Sequence, residues 1–154
     1  MRLRNHGRLK KFDHEIIGRN SRLDSIQAAI LNIKLKYLEK WNNARIENGK
    51  FYISNITNEK IKLLDYNKYG ESVFHQFVIL VPDKKKFCKV LNDKGIEFGF
   101  HYPYIIPELV YFKKKKLNFP NSKRIADNGV SIPVGEHLKT AQKEFIVDTI
   151  NRFI

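Results

Sequence analysis

The chain has 154 residues, a length that fits one ordinary domain. Hydrophobic residues make up 42% of it and aromatic residues 12%, which is enough to build a core and excludes an intrinsically disordered chain. Lysine and arginine (29) outnumber aspartate and glutamate (16), so the net charge is +13. The excess is spread along the chain, and its densest run, 113–116, is predicted to be a solvated loop rather than a nucleic-acid-binding element.

Several classes of protein are excluded by short features. The single cysteine, Cys88, cannot form an internal disulfide, and no cysteine and histidine spacing is typical of zinc, so no metal site is predicted. No apolar run approaches the roughly 20 residues of a membrane span. The N-terminus is basic but lacks the apolar segment of a signal peptide, so we predict a cytoplasmic protein.

The N-terminal third is predicted to contain an arm and one long helix. Residues 1–20 show little periodicity and form the arm, whereas Ser21–Asp24 has the form of a capping box. Apolar residues then recur at helical spacing. They are Leu23, Ile26, Ile30, Ile33, Tyr37, Trp41 and Ala44. No glycine or proline interrupts the stripe before Gly49, so we expect a continuous helix from about Arg22 to Asn48 within a connecting segment, 21–53.

Residues 54–154 are predicted to form a small α/β domain. Ser72–Val81 reads as a strand, Asp83–Lys94 as a helix capped by Asp83 and stopped by Gly95, and Gly95–His101 as a second strand. This unit resembles a βαβ or a split βαβ element. The fold class is therefore α/β, with a long connecting helix followed by a small mixed sheet flanked by helices.

Shorter elements complete the C-terminal domain. We predict a turn at 67–70, a short helix at 122–127 and an edge strand at 130–134, where Pro133 cannot lie inside a ladder. A last helix spans 140–153, with Thr140 as its N-cap. Its inward face is predicted to hold Phe145, Ile146, Thr149, Ile150 and Phe153.

The residues by themselves offer parts of an anion site and no complete catalytic set. Phosphate-binding glycine loops, nucleophile elbows and zinc-protease motifs do not occur in the sequence. Asn20 and Arg22 flank a predicted helix start, where free N–H groups favour a phosphate, although capping and solubility explain the same residues. His101 and Tyr102 end a predicted strand and would project from the sheet edge, although the spacing alone favours a packed tyrosine and a solvated histidine at the strand end.

Several blocks of the sequence resemble the DegT/DnrJ/EryC/StrS sugar aminotransferases, in the order and approximate spacing of that family. The longest is GRNSRLDSIQAAILNIKLKYLEKWNNAR, residues 18–45. The others are LRNHG (3–7), HQFVILV (75–81), GIEFGFHYP (95–103), FPNSKRIA (119–126) and VSIPVGEHL (130–138). These enzymes are pyridoxal-phosphate proteins of fold type I that aminate nucleotide-linked keto-sugars. The resemblance implies the C-terminal part of such an enzyme, with glutamate as the amino donor.

The resemblance also implies which residues bind which ligand. Asn20 matches the asparagine that binds the cofactor phosphate in the neighbouring subunit's site, and Arg22 matches the arginine beside it. His101 and Tyr102 match a block that lines the sugar-nucleotide site, and His75 lies on the adjoining strand. The family's Schiff-base lysine, pyridinium-pairing aspartate and stacking aromatic all precede the block that is 3–7 here. The isolated chain is therefore expected to bind no cofactor and to catalyse no transamination.

Two departures from the family pattern concern the sugar preference. Glu108 stands near the place of a usual second histidine, and Lys123 where the family often has an acidic residue. Two interpretations remain open. The chain is either part of a split or truncated aminotransferase that works with an N-terminal cofactor-domain polypeptide or a homodimer partner, or an inactive remnant or interaction module. A nucleic-acid-binding protein is a third alternative that depends on charge alone.

Overall fold

A computed structural model describes residues 2–66, 70–112 and 117–154. The predicted turn at 67–70 falls mostly, and the predicted lysine loop at 113–116 entirely, outside the described residues. Two compact units divide the chain after Glu39, and we call them the N-terminal unit (residues 2–39) and the C-terminal unit (residues 40–154). Among the described helices, none is both long and apolar enough to cross a membrane.

The N-terminal unit begins with a small hairpin inside the segment predicted to be an arm. Strands β1 (Arg8–Lys10) and β2 (Asp13–His14) pair antiparallel, and an isolated bridge joins Asn5 to Asn20. Gly7 has a φ of +72°, and a Cβ atom there would lie 1.6 Å from the carbonyl oxygen of Ile16. Only glycine fits this close approach of two backbone segments.

The predicted continuous helix is wrong, because it is interrupted at Lys36 and Tyr37. Helix α1 spans Ser25–Leu35 and helix α2 spans Leu38–Asn55. Between them the Lys36 N–H donates to the Ile33 carbonyl (3.3 Å) and the Tyr37 N–H to the Lys34 carbonyl (3.0 Å). These bonds to the third residue back tighten the last turn of α1 and end it.

The N-cap of α1 is Asp24 and not Ser21. One carboxylate oxygen of Asp24 accepts hydrogen bonds from the Ile26 N–H (2.8 Å) and the Gln27 N–H (3.3 Å). A carboxylate at this place satisfies two orphan donors and complements the positive end of the helix dipole. The capping box assigned to Ser21–Asp24 therefore lies one turn too early.

The C-terminal unit is built on an antiparallel sheet. Strands β3 (Lys62–Leu63), β4 (Phe77–Leu80) and β5 (Gly129–Ile132) lie in that order. Gly99 forms an isolated antiparallel bridge with Ser131 of β5. Because β5 also pairs antiparallel with β4, the segment at Gly99 runs parallel to β4, with β5 between them. The split βαβ alternative is therefore confirmed, and the contiguous βαβ unit is wrong.

The predicted strands are too long, whereas the three predicted helices that follow residue 82 are close to those observed. Of 72–81 only Phe77–Leu80 is strand, and of 95–101 only Gly99 pairs. Strand β5 ends at Ile132, which leaves Pro133 outside the ladder as expected. Helix α3 spans Lys84–Asp93, with the Asp83 carboxylate accepting from the Lys86 N–H (2.9 Å), so its predicted cap is confirmed.

Two further helices cover the sheet, and the α/β fold class is confirmed. Helix α4 spans Pro120–Asn128 and helix α5 spans Thr140–Asn151. The N-cap of α5 is Lys139 rather than Thr140, and Phe145 is 46% exposed where an inward position was predicted. The core lies entirely in the C-terminal unit. It comprises Tyr52, Ile61, Phe74, Phe77, Ile79, Val81, Phe87, Leu91, Ile96, Val130, Ile132, Val134, Ile146, Val147, Ile150 and Phe153.

Candidate functional site

The predicted phosphate-binding pair is formed as a pair in the N-terminal unit. Arg22 Nε donates to Asn20 Oδ1 at 2.9 Å, and both side chains are exposed. This bond occupies the amide oxygen of Asn20 and leaves its amide nitrogen as a donor. Among the described residues, neither that nitrogen nor the terminal guanidinium nitrogens of Arg22 have a protein partner. The pair therefore presents several N–H donors side by side, which is the chemistry that binds a phosphate.

The helix-dipole part of the sequence argument does not hold. Helix α1 begins at Ser25, and the Asp24 carboxylate already accepts two of its free N–H groups, those of Ile26 and Gln27. A phosphate at the helix start would meet a like charge instead of open donors. Any anion held by Asn20 and Arg22 is therefore held by their side chains.

His101 and Tyr102 lie just beyond the bridge at Gly99 in the C-terminal unit. His101 Nδ1 lies 2.8 Å from Ser131 Oγ, so the β5 strand fixes the imidazole ring. The two rings meet edge to face with centroids 5.6 Å apart, and Tyr102 is 75% exposed. The peptide bond between them is cis. The exposed side chains of His101 and Tyr102 thus present one imidazole nitrogen and one phenol hydroxyl to the solvent.

His75 is not on the strand where the sequence placed it. It is exposed and lies two residues before β4. Its carbonyl accepts a long hydrogen bond from Arg45 Nη1 at 3.5 Å. No described hydrogen bond or ring contact joins His75 to His101 or Tyr102, so the three predicted substrate residues are brought together only in part.

A cluster of three charged side chains, which the sequence did not predict, joins the segment after Tyr102 to helix α4. Lys123 Nζ lies 2.9 Å from Glu108 Oε1 and 2.6 Å from Asp127 Oδ1, and the Ile105 N–H donates to Glu108 Oε2 at 3.3 Å. The hydrogen bond from Lys123 lowers the pKa of Glu108, while the bonds to Asp127 and then Glu108 raise the pKa of Lys123. The two departures from the family pattern are therefore partners of each other. Only the spacing of Lys123 and Asp127 by four residues was visible in the sequence.

An apolar cavity of about 540 Å³ lies between the same two elements. Its walls include Tyr102, Tyr104, Phe112, Phe119 and Ser122. Aromatic walls with a few hydroxyl groups are typical of sites for small molecules. Glu108 and Lys123 of the three-charge cluster each follow a residue that lines this cavity, Pro107 and Ser122 respectively.

A second ion pair anchors helix α2 to the segment after β5. Arg45 Nη2 lies 2.9 Å from Glu136 Oε2, and Asn48 Nδ2 donates to the Gly135 carbonyl at 2.9 Å. The pKa of Glu136 is lowered, first by the hydrogen bond from its own backbone N–H and then by the charge of Arg45, although partial burial opposes this. These contacts are structural, since they hold a turn against a helix within one unit.

Other reactive side chains in the described residues give no further site. Cys88 is partly buried against the core, and burial raises the pKa of its thiol, so it is a packing residue rather than a nucleophile. Within the residues described, no three histidine, cysteine, aspartate or glutamate side chains are grouped as metal ligands.

Two curated relatives of this chain are named as sugar transaminases. It is 36% identical to the dTDP-3-amino-3,6-dideoxy-alpha-D-galactopyranose transaminase of Aneurinibacillus thermoaerophilus, over 98% of this chain and 42% of that protein. It is 30% identical to the dTDP-3-amino-3,4,6-trideoxy-alpha-D-glucose transaminase of Streptomyces venezuelae, over 98% of this chain and 41% of that protein. The chain thus spans about two fifths of the length of the curated relatives it matches.

Solved structures agree with these relatives in fold. DesV of S. venezuelae, crystallised in complex with a ketimine intermediate, superposes with a TM-score of 0.90 at 29% identity, over 97% of this chain and 41% of that one. A DegT DnrJ EryC1 StrS aminotransferase from Brucella abortus superposes with a TM-score of 0.86 at 25% identity, over 96% and 40%. The family model matches residues 1–151. The chain is therefore a member of the DegT/DnrJ/EryC1/StrS aminotransferase family.

Proposed function

We propose that these 154 residues are the C-terminal part of a pyridoxal-phosphate-dependent aminotransferase that acts on nucleotide-linked keto-sugars, and that they do not transaminate alone. The observation that carries the proposal is the family match over residues 1–151, in a chain that spans only about 42% of its relatives. Two of these relatives are named as transaminases of dTDP-linked amino sugars. The proposal therefore assigns the complete enzyme to amino-sugar biosynthesis.

The residues present fit the phosphate end of the cofactor. Asn20 and Arg22 offer adjacent N–H donors joined by a 2.9 Å hydrogen bond, and this arrangement suits a phosphate dianion. Pyridoxal phosphate, when bound, supplies the electron sink that transamination needs. Asn20 and Arg22 would bind and orient that phosphate, and no acid–base role is assigned to either of them.

The residues proposed for the sugar nucleotide lie in the C-terminal unit. Because Ser131 holds His101 at Nδ1, the Nε2 atom is the ring nitrogen free to hydrogen-bond a sugar hydroxyl. The exposed hydroxyl of Tyr102 supplies a second polar contact beside it. His75 stays a weaker candidate, since the described contacts do not bring it to this pair.

The proposal requires a partner for chemistry. By the family resemblance, the Schiff-base lysine, the aspartate that pairs with the pyridinium nitrogen and the stacking aromatic belong to the N-terminal part of the fold. A cofactor domain of that kind or a homodimer partner would complete the site. The proposed location is the cytoplasm, where the lone Cys88 stays a thiol.

Reconstitution tests this proposal. The chain is purified alone and together with the product of the preceding reading frame, and each sample is assayed for glutamate-dependent amination of a nucleotide-linked keto-sugar. We expect activity only in the combined sample. Turnover by the isolated chain, or a borohydride-reducible cofactor adduct at one of its lysines, would contradict the proposal.

A further inference from the structure

Ser131 is a buried polar residue within strand β5. It is 4% exposed, and its neighbours Val130 and Ile132 both belong to the core. Because successive side chains of a strand point to opposite faces of the sheet, the Ser131 hydroxyl lies on the face away from that core. A buried hydroxyl costs stability unless its proton finds an acceptor.

The partner of that hydroxyl is the imidazole of His101. Ser131 Oγ lies 2.8 Å from His101 Nδ1, and the hydroxyl makes no other hydrogen bond to the residues that the structure describes. A serine hydroxyl has one proton to donate, and a neutral imidazole accepts at one of its two nitrogens. If the imidazole donated at Nδ1, the buried serine proton would have no acceptor. The burial of Ser131 therefore favours a serine that donates to Nδ1.

The direction of this hydrogen bond determines the tautomer of His101. A neutral imidazole that accepts at Nδ1 carries its proton on Nε2. His101 is exposed, and within the described part of the chain no residue is hydrogen-bonded to its Nε2 atom. The Nε2–H group can therefore donate to an oxygen of a ligand, whereas it cannot accept a proton from one.

The backbone at Gly99 supports the same ring. The Gly99 N–H donates to the Ser131 carbonyl (3.0 Å), and the Ser131 N–H donates to the Gly99 carbonyl (2.8 Å). A Cβ atom at Gly99 would lie 2.9 Å from His101 Cε1, so the ring packs on the bare glycine backbone. The two residues that contact the imidazole are thus bonded to each other, and together they fix its place on the sheet.

We propose that Ser131 is a positioning residue that holds His101 in the Nε2–H tautomer, and that His101 therefore donates a hydrogen bond to an oxygen of the sugar nucleotide. The class of ligand rests on the proposed function. An N–H donor recognises a hydroxyl, carbonyl or phosphate oxygen and does not act as a base at that atom. The neighbouring Tyr102 hydroxyl can donate or accept, so the two side chains differ in what they recognise.

The tautomer is tested in the 154-residue chain by NMR of histidine labelled with nitrogen-15, at about pH 8.5, where imidazole side chains are neutral. The chemical shift of a ring nitrogen shows whether that nitrogen carries the proton. His101→Gln identifies the His101 signals by their loss. We expect a protonated Nε2 and an unprotonated Nδ1 in the wild-type chain.

His14 is the internal reference in the same spectrum. Its Nδ1 atom lies 2.8 Å from the His6 carbonyl oxygen, and a carbonyl can only accept, so His14 carries its proton on Nδ1. A hydroxyl partner and a carbonyl partner thus give opposite tautomers in one chain. A His101 ring that is protonated on Nδ1, like that of His14, would overturn the inference.

Substitutions test whether Ser131 sets the tautomer. Ser131→Ala deletes the donor and is expected to shift the tautomer ratio of His101 about fivefold toward Nδ1–H. Thr149→Val is the matched control, because it also deletes a buried hydroxyl of this unit, one that donates to the Phe145 carbonyl at 2.8 Å. It should leave the ratio unchanged. An unchanged ratio in Ser131→Ala, or an equal shift in Thr149→Val, would overturn the inference. If Ser131→Ala does not fold, Gly99→Ala decides instead, since its methyl group displaces the ring from the hydroxyl.

Kinetics test the positioning role in the active combination described under the proposed function, with a dTDP-linked keto-sugar as substrate. Ser131→Ala is expected to raise the KM for the sugar at least about threefold and to leave the KM for glutamate within about twofold. Equal changes in both would show general damage and overturn the positioning role. Absence of amination in every sample contradicts the proposed function only, because the NMR result on the isolated chain does not depend on turnover.

Discussion

The two units of this chain contain similar apolar side chains and differ in what covers them. In the C-terminal unit, Phe77 is fully buried and its ring packs on Tyr52 and Tyr66 with centroids 5.2 and 5.0 Å away. In the N-terminal unit, Phe12 is 85% exposed, and its described ring contact is with the Lys11 ammonium at 5.4 Å. The difference teaches that the C-terminal unit buries its large apolar side chains within itself, whereas those of the N-terminal unit stay exposed.

Helices α1 and α5, which are similar in length, make the same point. Helix α1 has 11 residues and no buried one, whereas α5 has 12 residues and buries Ile146, Val147, Thr149 and Ile150. An isolated helix shorter than about 12–15 residues is marginal in water, so α5 owes its stability to packing. Helix α1 lacks such packing among the described residues.

The largest expected effect is in hydrogen exchange. Because α1 opens without loss of core packing, we expect its amide protons to exchange at least about a hundredfold faster than those of α5. Peptide-resolved exchange mass spectrometry measures this ratio. Equal protection of both helices in the isolated chain would break the comparison.

The next effect comes from the same substitution made in both units. Phe77→Ala is expected to lower the free energy of unfolding by about 3–5 kcal/mol, because it leaves a cavity in the core. Phe12→Ala is expected to change it by less than about 0.5 kcal/mol, because its ring is solvated. Urea denaturation followed by circular dichroism measures both, and similar losses would show that the N-terminal unit has a core after all.

A buried hydroxyl gives an intermediate effect. Tyr66 Oη donates to the Val78 carbonyl (2.6 Å) and accepts from the Val78 N–H (2.7 Å), and burial raises its pKa to about 12. Tyr66→Phe leaves both groups of β4 unpaired and should cost about 1–3 kcal/mol. Tyr111→Phe is the control, since Tyr111 is 87% exposed and should cost almost nothing. If Tyr66→Phe lowers the free energy of unfolding no more than Tyr111→Phe does, water replaces the hydroxyl in its hydrogen bonds to Val78.

The smallest effect concerns pH. The folded-state pKa of Glu136 lies below its unfolded value, so its contribution to stability is present above the unfolded pKa of about 4.3 and is lost as the pH falls through the folded pKa. Glu136→Gln should flatten this part of the stability profile and cost less than about 1 kcal/mol at pH 7. Urea unfolding between pH 3 and 7 measures it. If Glu136→Gln loses stability at acid pH just as the wild-type chain does, the assigned role of the ion pair with Arg45 is contradicted.

Elements with strong local signals were predictable from the sequence. Asp83 and Gly95 bound α3 as expected, because an N-cap carboxylate and a glycine with positive φ act on adjacent backbone groups. The split βαβ element was one of two alternatives, and the choice depended on whether β5 inserts between β4 and the segment at Gly99. The residues of β5 that decide between the two alternatives lie 30 or more positions after Gly99 in the sequence.

The candidate site was predictable in part. Asn20 and Arg22 contact each other as the motif implied, whereas the histidines do not converge and His75 lies off the strand. The link from Glu108 to Lys123 was invisible, because the pattern of single residues carries no information on pairs separated by an irregular segment. The roles of Asn20 and Arg22 in binding the cofactor, and of the two histidines and Tyr102 in binding the sugar, stay predictions.

What the sequence by itself determined was the family, through the order of its motif blocks, and the helices that carry clear caps. What only the tertiary structure decided was burial. The apolar period of residues 23–44 shows that a helix has an apolar face, but whether that face meets a core or solvent depends on remote parts of the chain. Helical periodicity arises from neighbours three or four residues apart, whereas burial arises from segments that the backbone must bring together from a distance.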